Sequence, residues 1–159
     1  MDPELGQKLR GLLEAQRIAA LGTLHGGEPY VSMAPFAISP GTTDFIIHVS
    51  SLAAHTKDML ASPAVSLLVI APLNATAPPQ AVARLTIQAD AIQLDPQTPA
   101  YAAAKKAYLA RFPESEMTFE LGDFSLFAIR PRQLRWVGGF AQAKTITPAG
   151  LGEALGIPR

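Results

Sequence analysis

The chain has 159 residues, 48% of them hydrophobic and 16% charged, and its 13 Lys+Arg balance 13 Asp+Glu. That length predicts a single domain spanning 1–159, so apolar a composition predicts surface buried against a partner subunit, and the even charge excludes the positive field that non-specific nucleic-acid binding draws on. With no cysteine, disulfides, thiolate metal sites and cysteine nucleophiles are excluded, and with no apolar stretch near the roughly 18 residues of a membrane span the expectation is a cytoplasmic protein engaging neither nucleic acid nor membrane.

Leu5, Leu9, Leu12 and Leu13 fall at helical spacing with Lys8, Arg10 and Glu14 between them, which predicts an amphipathic helix over 4–16. Two β-rich segments, 18–24 and 29–38, flank His25-Gly26-Gly27-Glu28, a pair of glycines suited to a tight hairpin. Ser39-Pro40-Gly41-Thr42 is a second turn, leading to a third strand over 44–49. Residues 52–61 return to helical composition, and Ser62-Pro63 stops them. The apolar run 65–70 reads as a strand buried on both faces, and the Pro- and Ala-rich stretch 71–81 as an exposed loop. Over 83–94, Leu85, Ile87, Ala89 and Ala91 alternate with Arg84, Thr86, Gln88 and Asp90, a strand with one wetter face. A helix over 99–111 ends before Phe112-Pro113; three β segments follow, 124–129, 133–137 and 140–146, and Pro148 opens a terminal helix. Strands at this density predict a mainly β fold with peripheral helices, a closed or nearly closed antiparallel barrel of six to eight strands.

The stretch from His48 to Lys57 concentrates the polar chemistry. A strand runs through Val49, Ser50 and Ser51 into a helix bearing His55, Thr56 and Lys57. The unpaired amides of a helix N-terminus, three hydroxyls and an ammonium suit an anion such as a phosphate. The same residues also read as an ordinary helix start, with a serine cap and a solvated His55 and Lys57. His25, His48 and His55 lack the spacing that preorganises a metal, so no metal site is expected, and His48, between Ile47 and Val49, reads as a packed barrel residue. Arg130, Arg132 and Arg135 beside Trp136 read either as a binding surface for an acidic ligand or as a solvated face. Asp123 orients a ligand or shapes a turn, and Gly138-Gly139 allows a close backbone approach. Hydrolase triads, paired carboxylates and nucleotide-binding glycine motifs are absent, so the catalytic residues are unassigned.

The segment SSLAAHTKDML followed by SPAVSLLV, then ARLTIQ, LGDFSLF and VGGFAQA, resembles in order and spacing the pyridoxamine 5'-phosphate oxidase-like FMN-binding split barrels, most of all their haem-utilisation branch. The resemblance implies a split β-barrel and a homodimer with two flavin sites at its interface. The FMN phosphate would meet Ser50, Ser51, His55, Thr56 and Lys57 beside Val49. Val31, Ser32 and Met33, within the strand Tyr30 to Pro35, would flank the isoalloxazine, and Trp136 or its neighbours would approach from the partner. It implies an FMN-dependent oxidoreductase acting on a small-molecule substrate, with two alternatives: a haem-binding or haem-utilisation protein using the same dimer cleft, and a flavin-storage module without catalysis. His55-Thr56-Lys57 stands where the oxidase has Ser-Arg-Lys, and no basic set matches its grip on the substrate phosphate, so pyridoxine phosphate oxidation is not expected. Gln88-Ala89 stands where relatives often have a glycine, a change that bears on a bulge.

Overall fold

The computed structural model describes residues 1–139 and 141–158. Its antiparallel sheet is built from β1 (Ile18–His25), β2 (Glu28–Pro35), β3 (Ala37–Ile38), β4 (Phe45–Ser50), β5 (Ala64–Ile70), β6 (Arg84–Gln93), β7 (Phe124–Val137) and β8 (Ala143–Ile146). The strands run in the order β2-β1-β5-β6-β7-β4-β3, with β8 on the far end of β7. The outer members of that row, β2 and β3, are separated in the chain by Phe36 alone. The sheet therefore has to curl on itself, and it does so around Phe36, which is fully buried and donates its amide to the Arg17 carbonyl at 3.1 Å. The mainly β barrel with peripheral helices is thus the fold expected.

Alternation supplies the interior. Leu21, Phe45, Ile47, Leu67, Leu85, Ile87, Ile129 and Leu134 all point inward with essentially no exposure. Five α-helices are seen among the described residues: α1 (Pro3–Ala15), α2 (Ala54–Ala61), α3 (Pro99–Arg111), α4 (Glu116–Glu120) and α5 (Pro148–Ala154). Helix α1 starts at an Asp2 cap, whose carboxylate accepts from the Glu4 amide, with Pro3 in the first turn; it buries Leu9, Leu12 and Leu13 in the core. Its last turn has no basic residue of its own. Arg111 of α3 takes that role, donating to the carbonyls of Leu13 at 3.0 Å and of Gln16, with its guanidinium over the Phe36 ring. A second, smaller core lies under α3 on the outer face of β4 and β7, around Ala104, Tyr108, Ile46 and Leu126.

Several expectations need correction. The strand predicted over 29–38 is two, interrupted at Phe36. Strand β5 is not buried on both faces: Val65, Leu67 and Val69 face in, while Ser66, Leu68 and Ile70 are half-exposed or exposed. The segments 124–129 and 133–137 are one strand that runs through Arg130-Pro131-Arg132. A bulge makes this possible: Gln88 pairs with Gln133 and Ala89 with Pro131, so Arg132 has no opposite number and the proline's missing N–H falls at the irregularity. That bulge lies at the Gln88-Ala89 pair singled out from the sequence. Helix α4 was not anticipated, and Phe140, the expected start of the last strand, lies outside the described residues. Among those residues no helix is long and apolar enough to cross a membrane.

Candidate functional site

The polar residues of the barrel converge where the β1–β2 hairpin meets α2. The hairpin turns through Gly26 and Gly27, both at positive φ (58° and 83°), a conformation that lets His25 and Glu28 close the ladder. Thr23, on the inward face of β1, donates its hydroxyl to Asp58 Oδ2 at 2.7 Å. His25 Nδ1 lies 2.7 Å from Asp58 Oδ1. One turn earlier on α2, His55 Nδ1 shares a hydrogen bond of 2.9 Å with the Ser32 hydroxyl of β2. Tyr30 completes the group, its ring 5.3 Å from that of His25.

The electrostatics of the group follow from its packing. Burial pushes the Asp58 carboxyl up, but the hydrogen bonds from Thr23 and His25 and the nearby His25 and His55 imidazoles outweigh it, and the net direction is down. An ionised carboxylate can only accept, so His25 donates its Nδ1–H to it. Burial draws His55 below the ordinary imidazole value, with Asp58 pulling the other way.

The corner expected to cradle an anion holds a different set of commitments. The Thr56 hydroxyl donates to the Ser50 carbonyl at 2.6 Å, and the residue is buried. The Ser50 hydroxyl donates to the Asp123 carboxylate at 3.3 Å and accepts from the Leu52 amide at 3.2 Å. The Ser51 amide donates to the Asp123 carbonyl at 2.6 Å. No side chain caps α2, whose first residue follows Ala53; Ser51 and Lys57 are exposed. Val49 is buried in the barrel. On β2, Ser32 turns toward α2, while Val31 and Met33 stand out on the opposite face, 70% and 54% exposed. Ser32, His55, Thr56 and Lys57 are therefore brought to one end of the barrel. Trp136, expected to approach from a partner subunit, is buried in the core of its own protomer, a dozen residues along β7 from the Ser50 end, roughly 40 Å of strand.

The remaining candidates separate. His48 is buried, stacked on Phe119 at 3.7 Å between centroids and hydrogen-bonded to Thr118, a packed residue. The arginines point to different partners: Arg130 to Asp44, Arg132 to Asp90 and Arg135 to Thr145. Asp58, the centre of the polar group, was missed in the sequence; its spacing of three from His55 on a helix was the available signal, but its tie to His25 and Thr23 is purely tertiary.

Comparison with known proteins adds four findings. The family model described as pyridoxamine 5'-phosphate oxidase matches residues 5–138. The chain is 36% identical over 141 residues to the chloroplastic heme oxygenase HOZ of Arabidopsis thaliana, covering 86% of this chain and 41% of that protein. It is 28% identical over 158 residues to heme oxygenase HutZ of Vibrio cholerae, covering 92% of this chain and 89% of that one. Among solved structures, a heme binding protein from Mycobacterium smegmatis superposes with a TM-score of 0.84 at 25% identity, covering 96% of this chain and 62% of that chain. The chain thus spans less than half of the Arabidopsis relative and under two thirds of the mycobacterial structure.

These relatives overturn two expectations. An FMN-dependent oxidoreductase was expected, and FMN as its cofactor; the relatives spanning most of the chain are named for heme instead. The corner geometry gives a physical reason. A phosphate at the start of α2 would stand beside the Asp123 carboxylate, where the Ser50 and Thr56 hydroxyls are already engaged.

Proposed function

The chain belongs to the pyridoxamine 5'-phosphate oxidase family, and from that premise we propose that it binds haem, at the hairpin end of the barrel and across a dimer, as the substrate of haem breakdown. The observation that carries this reading is the pair of relatives named heme oxygenases, which align with 86% and 92% of the chain. The residues present suit the group. A porphyrin needs apolar surface, an iron donor and a cation for its carboxylates; Tyr30, the imidazoles of His25 and His55, and the exposed Lys57 supply these within one neighbourhood.

A second copy of the chain would dock on the opposite face of the same strands. The outer face of β2, β1 and β5 presents Val31, Met33, Ile18 and Ile70, each at least 45% exposed, with Ala20, Gly22 and Leu68 half-buried between them. A contiguous apolar sheet face of this kind is covered in a stable soluble protein, and in this family a homodimer through the barrels is the natural cover.

Haemin titration followed by the Soret band tests the binding. One haem per protomer with a sharp endpoint is expected, and the complex should run at twice the protomer mass on size exclusion. Adding reductant in air then separates breakdown, in which the Soret band is lost and iron released, from storage, in which it persists. A protein that leaves the haemin spectrum unchanged refutes the reading.

A further inference from the structure

We propose that the cavity between α1 and the buried Trp136 is a binding site for an anionic amphiphile, a medium-chain aliphatic carboxylate. This site does not depend on the haem reading above. The cavity holds about 380 Å³, a volume within the range of small-molecule sites. Helix α1 forms one wall, where Lys8, Gly11, Leu12 and Ala15 fall at i, i+3, i+4 and i+7 and so share a face. Pro72, beyond the end of β5, and Gly138, beyond the end of β7, stand around the indole of Trp136 on the other side.

Two features set this cavity apart from a gap left by packing. The first is an unspent donor. Trp136 is only 4% exposed, and among the described residues its indole N–H has no hydrogen-bond partner, yet the nitrogen is not sealed off. Its Nε1 lies on the Gly138 side of the ring, 2.6 Å from where a Cβ on that glycine would stand, so the glycine keeps the nitrogen open to the cavity. A desolvated N–H without an acceptor is costly, and a ligand oxygen would relieve it. The second feature is a missing side chain. Gly11 sits in mid-helix, where glycine weakens the helix, and a Cβ there meets nothing within 4 Å. A larger residue at that position would project into the cavity.

The lining sets the ligand class. Lys8 is the one charged residue among the described residues that line the cavity, and apart from Gln16 the rest of the wall is apolar. Lys8 and Trp136 also border together a second cavity, of about 330 Å³, beside the β7–β8 turn, so the ammonium and the indole share a wall. The partner of Lys8 is Glu4 at 2.7 Å; both side chains are at least half exposed, and such a pair is weak enough to be exchanged for a ligand. One carboxylate oxygen would accept from the indole N–H and the other from the ammonium, with the alkyl chain laid along Leu12, Ala15 and Pro72.

The experiment is titration of the whole chain with decanoate, followed by calorimetry and by the fluorescence of Trp136, the only tryptophan, with decanol as the uncharged control. Decanoate should saturate at one per protomer and shift the emission, and decanol should bind more weakly. Lys8→Met keeps an unbranched side chain and removes the charge; it should weaken decanoate about tenfold and leave decanol unchanged. Gly11→Leu adds a good helix former where there is room for one, so it should melt no lower than the parent, and by filling the cavity it should abolish binding of both probes. A parent that ignores decanoate or binds decanol as tightly overturns the proposal. So does a Lys8→Met protein with the parent's affinity, or a Gly11→Leu protein that still takes up decanoate.

Discussion

His48 makes the stability of this barrel depend on pH in a window that can be worked out from its surroundings. Its imidazole lies in a box of Phe119, Tyr108 and Phe124. Thr118 donates its hydroxyl to the Ser115 carbonyl at 2.7 Å, so its oxygen is left to accept from His48 Nδ1–H. Burial, with Lys105 adding to it, lowers the His48 pKa from 6.5 to about 4. The folded value lies below the unfolded one, so the unfolded chain takes up the proton first as pH falls. Stability is full above pH 6.5 and declines from there until the folded protein is itself protonated near pH 4. Linkage puts the loss at about 2 kcal/mol by pH 5 and about 3 kcal/mol by pH 4. Urea unfolding, followed by the fluorescence of the buried Trp136, should show this fall in the parent and a much flatter profile in His48→Phe, which keeps the stack and removes the titration. His55 contributes to both proteins and cancels in the difference. Asp58, held below 3.8, acts only at lower pH. Parallel profiles, agreeing to about 0.5 kcal/mol from pH 7.5 to pH 4, would refute the reasoning.

Three further changes test the fold. Arg111→Lys should destabilise by about 1–2 kcal/mol in urea melts, because a single ammonium cannot reproduce the fork over the carbonyls ending α1 or the stack on Phe36. Gly138→Ala should cost about 1–3 kcal/mol, since the added Cβ would lie 2.6 Å from Trp136 Nε1, whereas Gly139→Ala, with its nearest contact at 3.8 Å, should melt within about 0.5 kcal/mol of the parent. Arg130→Ala should cost about 1–2 kcal/mol by leaving the largely buried Asp44 carboxylate without its two-pronged partner, a loss that Asp44→Asn in the same protein should recover in part.

Local rules were enough for much of the architecture. The alternation over 83–94 names the faces of β6 correctly, Pro99 and Arg111 bound α3 as the structure does, and Gly26-Gly27 make the hairpin. What failed depended on neighbours. Pro131 reads as a break because a proline cannot donate to a ladder, yet the bulge opposite Ala89 excuses it from donating. The run 65–70 is apolar throughout, and periodicity cannot tell a strand buried on both sides from one whose outer face meets open surface. Around the helix start, His55 and Lys57 stood out from the residue pattern, and Ser32 only through the family resemblance. His25 and Asp58 did not, because they lie 33 residues apart and only the docking of α2 under the hairpin makes them a pair. The choice between flavin and haem was beyond residue patterns altogether, since both need apolar surface, a donor and a nearby cation.

Strand β7 has a bearing on how the molecule comes into being. Among the described residues it is the sole long strand paired with β4, whose other pairing is to the two-residue β3, and it is also the second neighbour of β6 and the strand that β8 pairs with. During synthesis Phe45 to Val49 therefore emerge as a greasy ribbon with nothing to zip against until Phe124 to Val137 have left the ribosome. Closure is a late event, and the interval before it is when this chain is most exposed to clumping or to capture by a chaperone.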